Sequence, residues 1–199
     1  MALAEVYDAL GRTQDAAVTA ERAVKANELD DGIHFLAART LVDVGQTAKA
    51  QQLAADLNGK LQQQTKAMAL MINADIAVKQ KRVPEAIEAY REARKLHDSW
   101  ISHYLLGMAY VEANHFPEAL TELETAEKRS SEAADLFDSN TTSLRYLPPV
   151  YYWLGRAQEG LGASEAARKS YQRYIAVRAN ASADSADKLF ADAKRRTAP

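Results

Sequence analysis

Residues Trp100–Lys128 read WISHYLLGMAYVEANHFPEALTELETAEK, and the spacing of apolar residues in this stretch decides the fold. Trp100, Tyr104, Leu105, Met108 and Val111 recur at helical intervals, and Gly107 and Ala109 leave room for a second helix to come close. After Glu112-Ala113-Asn114-His115, Pro117 sits where a helix can begin, because proline lacks only an N–H that the first turn would leave unpaired. Ala119, Leu120, Leu123 and Ala126 then line one face, with Glu118, Glu122, Glu124 and Lys128 around the rest. The spacing predicts a helical hairpin.

One hairpin cannot bury its own apolar faces, so the pattern must recur along the chain. Aligned on the turn, Gly11, Gly45, Lys81, Asn114 and Gly162 take equivalent places, at steps of 34, 36, 33 and 48 residues. Leu106-Gly107 and Tyr110, then Ala119, Leu123 and Ala126, form the clearest copy. Leu154-Gly155, Ala167 and Tyr171 form another, and Ala86, Tyr90 and Ala93 a third. Tyr7, Gly11, Ala16, Ala20 and Ala23, followed by Ala38, Gly45, Ala50 and Ala54, are the N-terminal copies. Together they resemble the tetratricopeptide repeat (TPR) family, whose unit of roughly 34 residues carries W-x2-L-G-x2-Y, an alanine, an aromatic and a proline. The resemblance implies an all-α fold: a right-handed α-solenoid of about five hairpins. Its units would span 1–29, 30–64, 65–97, 98–129 and 148–179 of a single domain, with an insertion at 130–147 and a capping helix at 184–196.

Composition narrows the function. The chain has 199 residues, 47% apolar and 26% charged, with a net charge of −2, which suits a folded body and not a general nucleic-acid or anionic-membrane binder. No apolar run is long enough to span a membrane, and no basic-then-apolar leader opens the chain. Absent cysteine removes disulfides and thiolate metal sites and leaves the redox compartment open. A cytoplasmic location is the default, and a periplasmic one follows if an upstream signal or membrane span exists. Only Met1–Leu10 precede the first turn, so further repeats or another domain are expected upstream in the full-length protein.

Thr13, Thr47 and Ser164 are placed to cap second helices, and Pro84 and Pro117 mark the same boundary. Gly59, in the polar break NGKLQQQT, suits a helix end. The 48-residue step holds SSEAADLFDSNTTSLRYLPP, where Leu136, Phe137, Leu144, Tyr146 and Leu147 are too apolar for a solvated linker. It is expected to fold back on the solenoid, as packing or as a partner contact. Ala186, Leu189, Phe190 and Ala193 share one face of the terminal segment, which ends in Lys194-Arg195-Arg196 and reads as a cap whose basic end complements the helix dipole.

Enzyme chemistry finds little support in the residues. His34, His97, His103 and His115 are scattered without metal-ligand spacing. Phosphate-loop and nucleophile-elbow motifs are missing, and the sequons at Asn140 and Asn180 carry no weight without a secretory context. No catalytic residue, metal or cofactor is expected.

The resemblance instead points to the concave face, where the family's ligand contacts lie on the first helix of each unit. Carried over, these places hold Glu5 and Asp8; Phe35, Arg39 and Val42; Met68, Met71, Asp75 and Val78; Ile101, Tyr104, Met108 and Val111; and Tyr152, Arg156 and Glu159. The expected partner-binding groove is Phe35, Arg39, Met71, Asp75, Tyr104, Met108, Val111, Tyr152 and Arg156. Its methionines and aromatics suit an apolar helix or extended peptide, and Arg39 and Arg156 suit carboxylates. The other reading of this stripe is packing between helices. A chaperone-tail carboxylate clamp does not fit, since Met1, Glu5, Leu36, Met71 and Asp75 stand where its basic and amide residues would.

The C-terminal third, RYLPPVYYWLGRAQEGLG with SYQRYIAVR, is also similar to TPR segments of bacterial proteins, some attached to Ser/Thr protein kinases; no kinase motif accompanies it. Three functions follow as expectations. The first is a non-enzymatic scaffold binding a protein or peptide, the second a sensing or docking segment of a larger signalling enzyme, and the third homo-oligomeric assembly through the N-terminal repeat.

Overall fold

The computed structural model describes residues 1–134, 147–178 and 188–198, and the following statements concern these. They form eleven α-helices: α1 Ala2–Ala9, α2 Thr13–Ala26, α3 Asp31–Asp43, α4 Thr47–Asn58, α5 Gln63–Lys79, α6 Val83–Leu96, α7 Trp100–Glu112, α8 Phe116–Lys128, α9 Leu147–Gly160, α10 Ser164–Arg178 and α11 Lys188–Thr197. A 3-10 turn at Ser130–Ala134 follows α8. Among the described residues the architecture is all-α, a succession of helical hairpins.

Every hairpin turns by the same device. Gly11, Gly45, Lys81, Asn114 and Gly162, the five aligned positions, all have positive φ, between 60° and 84°. In each, the residue after the turn donates its N–H back across the helix end, as Arg12 does to Tyr7, Gln46 to Leu41, Arg82 to Ala77, His115 to Tyr110 and Ala163 to Gln158. This double-bonded ending satisfies helix carbonyls that would otherwise lack partners. It also overturns the expected capping by Thr13 and Thr47. These threonines begin α2 and α4, while Arg12 and Gln46 stand at the cap positions without a side-chain cap bond. The turn's own geometry commits the cap position to the residue that closes it. Pro84 and Pro117 lie in the first turns of α6 and α8, as expected. Gly59 closes α4 in the right-handed region, at φ −69°.

The chain divides into two compact units at Asp98/Ser99. In the first, α1 with α2, α3 with α4 and α5 with α6 are hairpins, each second helix packs on the next first helix, and α1, α3 and α5 touch in sequence. Small residues permit this closeness: Ala4, Ala16, Ala20, Ala38, Ala50, Ala74 and Ala86 are fully buried.

In the second unit α7 with α8 and α9 with α10 repeat the arrangement, and α11 packs on α10 and α9 as a further first helix would. Helical glycines set the distances here. A Cβ on Gly107 would lie 2.6 Å from Leu123 Cγ, and one on Gly155 would lie 2.6 Å from the Tyr171 ring. Ala193 of α11 is fully buried, and Leu189 and Phe190 are half-buried, which is the behaviour of a cap. Ala186 and most of the 130–147 insertion, including the side chains expected to fold back, lie outside the described residues.

Candidate functional site

The residues assigned to a groove occupy two places, one in each unit. In the first unit, α3 and α5 lie side by side and bring Arg39 to Asp75, whose Oδ2 accepts from Arg39 Nε at 2.6 Å. Tyr90 of α6 donates its hydroxyl to the other oxygen, Oδ1, at 2.5 Å. Both charged side chains are nearly enclosed, at 11% and 10% exposure. Burial raises the Asp75 pKa above the ordinary carboxylate value, against the lowering effect of Arg39 and the Tyr90 hydrogen bond. The Arg39 guanidinium also stands 5.7 Å from the Phe35 ring centre. Phe35 and Met71 are fully buried, so neither presents surface to a ligand in this arrangement. Arg39, read as a hold for a ligand's carboxylate, therefore holds the chain's own Asp75.

In the second unit, Tyr104 stacks on Trp100 with ring centres 5.8 Å apart and planes within 7°. Tyr104 and Val111 are buried, whereas Met108 remains partly exposed on α7. Tyr152 and Arg156 lie on α9 one helical turn apart, and Arg156 Nη1 donates to the Tyr152 hydroxyl at 3.2 Å. That hydroxyl in turn donates to Asp192 Oδ2 of α11 at 2.8 Å. Arg196, four residues on, donates to Asp192 Oδ2 from Nε and to Glu159 Oε2 from Nη1, each at 2.5 Å. Tyr171 completes the chain of bonds by donating to Glu159 Oε2 at 2.7 Å.

Electrostatics follow from these contacts. Burial raises the Tyr152 pKa, and burial together with the Glu159 carboxylate drives that of Tyr171 far above the usual phenol range. Burial also pushes the Asp192 carboxyl up, but hydrogen bonds from Arg196, Tyr152 and Arg195 outweigh it and hold the group below its ordinary value. Both phenols thus stay protonated and act as donors. The arrangement can orient and bind; it holds no activated nucleophile. No group of three metal-ligating side chains occurs among the described residues.

Sequence reasoning missed Tyr90, Asp192, Arg196 and Tyr171 as members of these networks. Tyr90 and Tyr171 were legible only as repeat aromatics. Asp192 and Arg196 carried a readable sign, an acid and an arginine four residues apart on one helical face.

Comparison with known proteins agrees with the architecture. Sequence signatures of the tetratricopeptide repeat match residues 35–99 and 104–137, residues 150–180, and residues 1–22. No curated protein matches the chain. Among solved structures, TTC0263, a thermophilic TPR protein of Thermus thermophilus, superposes with a TM-score of 0.68 at 17% identity, over 98% of this chain and 96% of its own. BtubC from P. vanneervenii gives 0.60 at 17% identity over 94% of this chain and 78% of its own. MamA gives 0.51 at 18% identity over 90% of each. At such identities the structural likeness carries the fold alone. With five matching turns and repeat signatures along its length, the chain belongs to the tetratricopeptide repeat family.

Proposed function

We propose that this chain is a protein-interaction scaffold that receives a helix or peptide of another protein along its first-helix faces. One observation carries the reading: α11, which packs mainly on α10, also engages the α9 face. Tyr152 and Glu159, two of the carried-over ligand positions, are engaged by Asp192 and Arg196 of α11. A face that grips one helix through a hydroxyl and a carboxylate has the chemistry to grip another. Met108, a flexible and partly exposed thioether on α7, adds an adaptable apolar contact. Partner capture from source-cell lysate tests this, with the parent chain beside a Met108→Glu variant of equal helicity. A protein retained by the parent and lost by the variant is the expected result. Identical retained sets would remove α7 from the reading.

Homo-oligomeric assembly is a second reading, favoured by a specific feature of α1. Leu3, Val6 and Leu10 are 53%, 51% and 44% exposed and fall on one helical face. Light scattering of the parent and of a Leu3→Glu/Val6→Glu variant tests it: a dimer in the first and a monomer in the second are expected. A monomeric parent would end this reading.

A further inference from the structure

The α9–α11 contact has the composition of an exchangeable interface. We propose that α11 occupies the docking face of α9 in cis as an autoinhibitory segment, and that the partner helix displacing it carries a carboxylate followed four residues later by an arginine. The inference rests on the scaffold reading above and names the ligand class of that face.

Three observations support it. First, α11 is short and mostly polar. It has ten residues, and Ala193 is its only fully buried side chain among those described. Isolated helices of this length are marginal in water, so detachment from α9 also costs the helix its order. Second, although α11 packs mainly on α10, its hold on α9 is polar, the Tyr152–Asp192 hydrogen bond and the Arg196–Glu159 pair, and that pair is only partly shielded. Arg196 is 24% exposed and its partner Glu159 46%, so salt weakens the pair. Segments held this way open locally at a small fraction of the global unfolding cost.

Third, the face beneath is aromatic with a polar rim. The Tyr152 ring lies 5.9 Å from both Tyr171 and Tyr174, and Trp153 meets it edge-on at 5.2 Å. Rigid tyrosines ringed by an arginine and a carboxylate resemble the groups that dominate protein–protein binding. The occupant defines its own replacement. Asp192 takes the Tyr152 hydroxyl, small Ala193 is fully buried, and Arg196 reaches Glu159. A competing helix needs the same three features in the same order.

The probe is a labelled peptide spanning Lys188–Ala198, added in trans to the full chain. Parent chain should bind it weakly. An Asp192→Ala/Arg196→Ala chain, with its own cap released and its α9 face intact, should bind at least about tenfold tighter, and more weakly as salt rises. Adding Tyr152→Phe and Glu159→Gln should remove that gain. A peptide with Arg196→Glu should fail on the cap-released chain and recover when that chain also carries Glu159→Arg, a rescue that loss of fold cannot imitate. Equal binding by parent and cap-released chains overturns the proposal, as does no binding by a cap-released chain of near-parent helicity. Crosslinks showing α11 exchanged between two parent copies overturn its cis placement.

Hydrogen exchange on the unaltered parent is an independent check. Amides of α11 should exchange at least about a hundredfold faster than those of α9, and equal protection overturns the proposal. If the peptide results hold while lysate capture is insensitive to Met108→Glu, the cis occupant stands and the wider groove reading fails. If capture depends on Met108 but the peptide never binds, the reverse is true.

Discussion

Arg39 Nε stands 2.6 Å from Asp75 Oδ2 and ties α3 to α5 through two side chains that are each about nine-tenths enclosed. The pair is a constraint on how successive first helices sit in the first unit. A buried ion pair contributes little against an apolar substitute, but losing one partner leaves the other charge stranded. Arg39→Met should therefore destabilise the first unit by about 3 kcal/mol in urea unfolding, while Arg39→Met/Asp75→Leu should recover more than half of that loss. Additive losses would show that the pair does not act as a unit.

Asp75 also gives the stability a pH dependence of known sign. Its folded pKa is raised above the unfolded value of 3.8, chiefly by burial. The folded state then binds more protons in the window above 3.8, so this group's contribution is fully present below that pH and is lost as pH rises through the folded pKa. Compared with the parent, Asp75→Asn should gain relative stability as pH is raised from the acid range toward neutrality. Denaturant midpoints of both chains across that range check it. A difference that moves the opposite way would mean that Arg39, not burial, dominates the site.

Lys81 occupies a left-handed turn position, φ 65°, that glycine holds in three of the other four turns. A β-carbon in this conformation costs about 1–2 kcal/mol, partly offset by the greater unfolded-state freedom of glycine. Lys81→Gly should stabilise the chain by about 0.5–1 kcal/mol in denaturant unfolding. The same substitution at Lys79, the last residue of α5, should destabilise by about as much, since glycine there has a helix penalty and loses the bond from Lys79 Nζ to the Asp43 carbonyl.

Gly155→Ala and Gly107→Ala are the same change with different costs. Each new methyl would come within 2.6 Å of a neighbour, the Tyr171 ring in one case and the Leu123 side chain in the other. Tyr171 is rigid and is held through its hydroxyl by Glu159, whereas Leu123, though fully buried, is held by packing alone. Gly155→Ala should cost about 2–3 kcal/mol by thermal unfolding. Gly107→Ala should cost less, about 1–2 kcal/mol, because higher helix propensity offsets part of the crowding and no hydrogen bond fixes the leucine. Equal costs would mean that Leu123 is as tightly held as the tyrosine.

Local periodicity was sufficient to read the hairpins. Apolar spacing along Trp100–Lys128 and the five recurring turns named the family and the all-α architecture, because helix faces and left-handed turn positions are properties of short stretches. The turns even fell on the same five residues, although two of them, Lys81 and Asn114, are not glycine. The caps were less legible. Thr13 and Thr47 have capping chemistry, but the turn closes one residue earlier and puts Arg12 and Gln46 in that place.

Tertiary packing decided what the carried-over groove residues touch. Family positions identify which side chains face the neighbouring first helix, but they do not say whether a ligand or the chain itself meets them. Phe35 and Met71 ended in the core, Arg39 took Asp75, and Tyr152 met Asp192, forty residues away. These outcomes depend on how closely adjacent helices approach and on which charge stands across the gap. No pattern within a single repeat encodes that, because each such contact is made by residues from two different repeats.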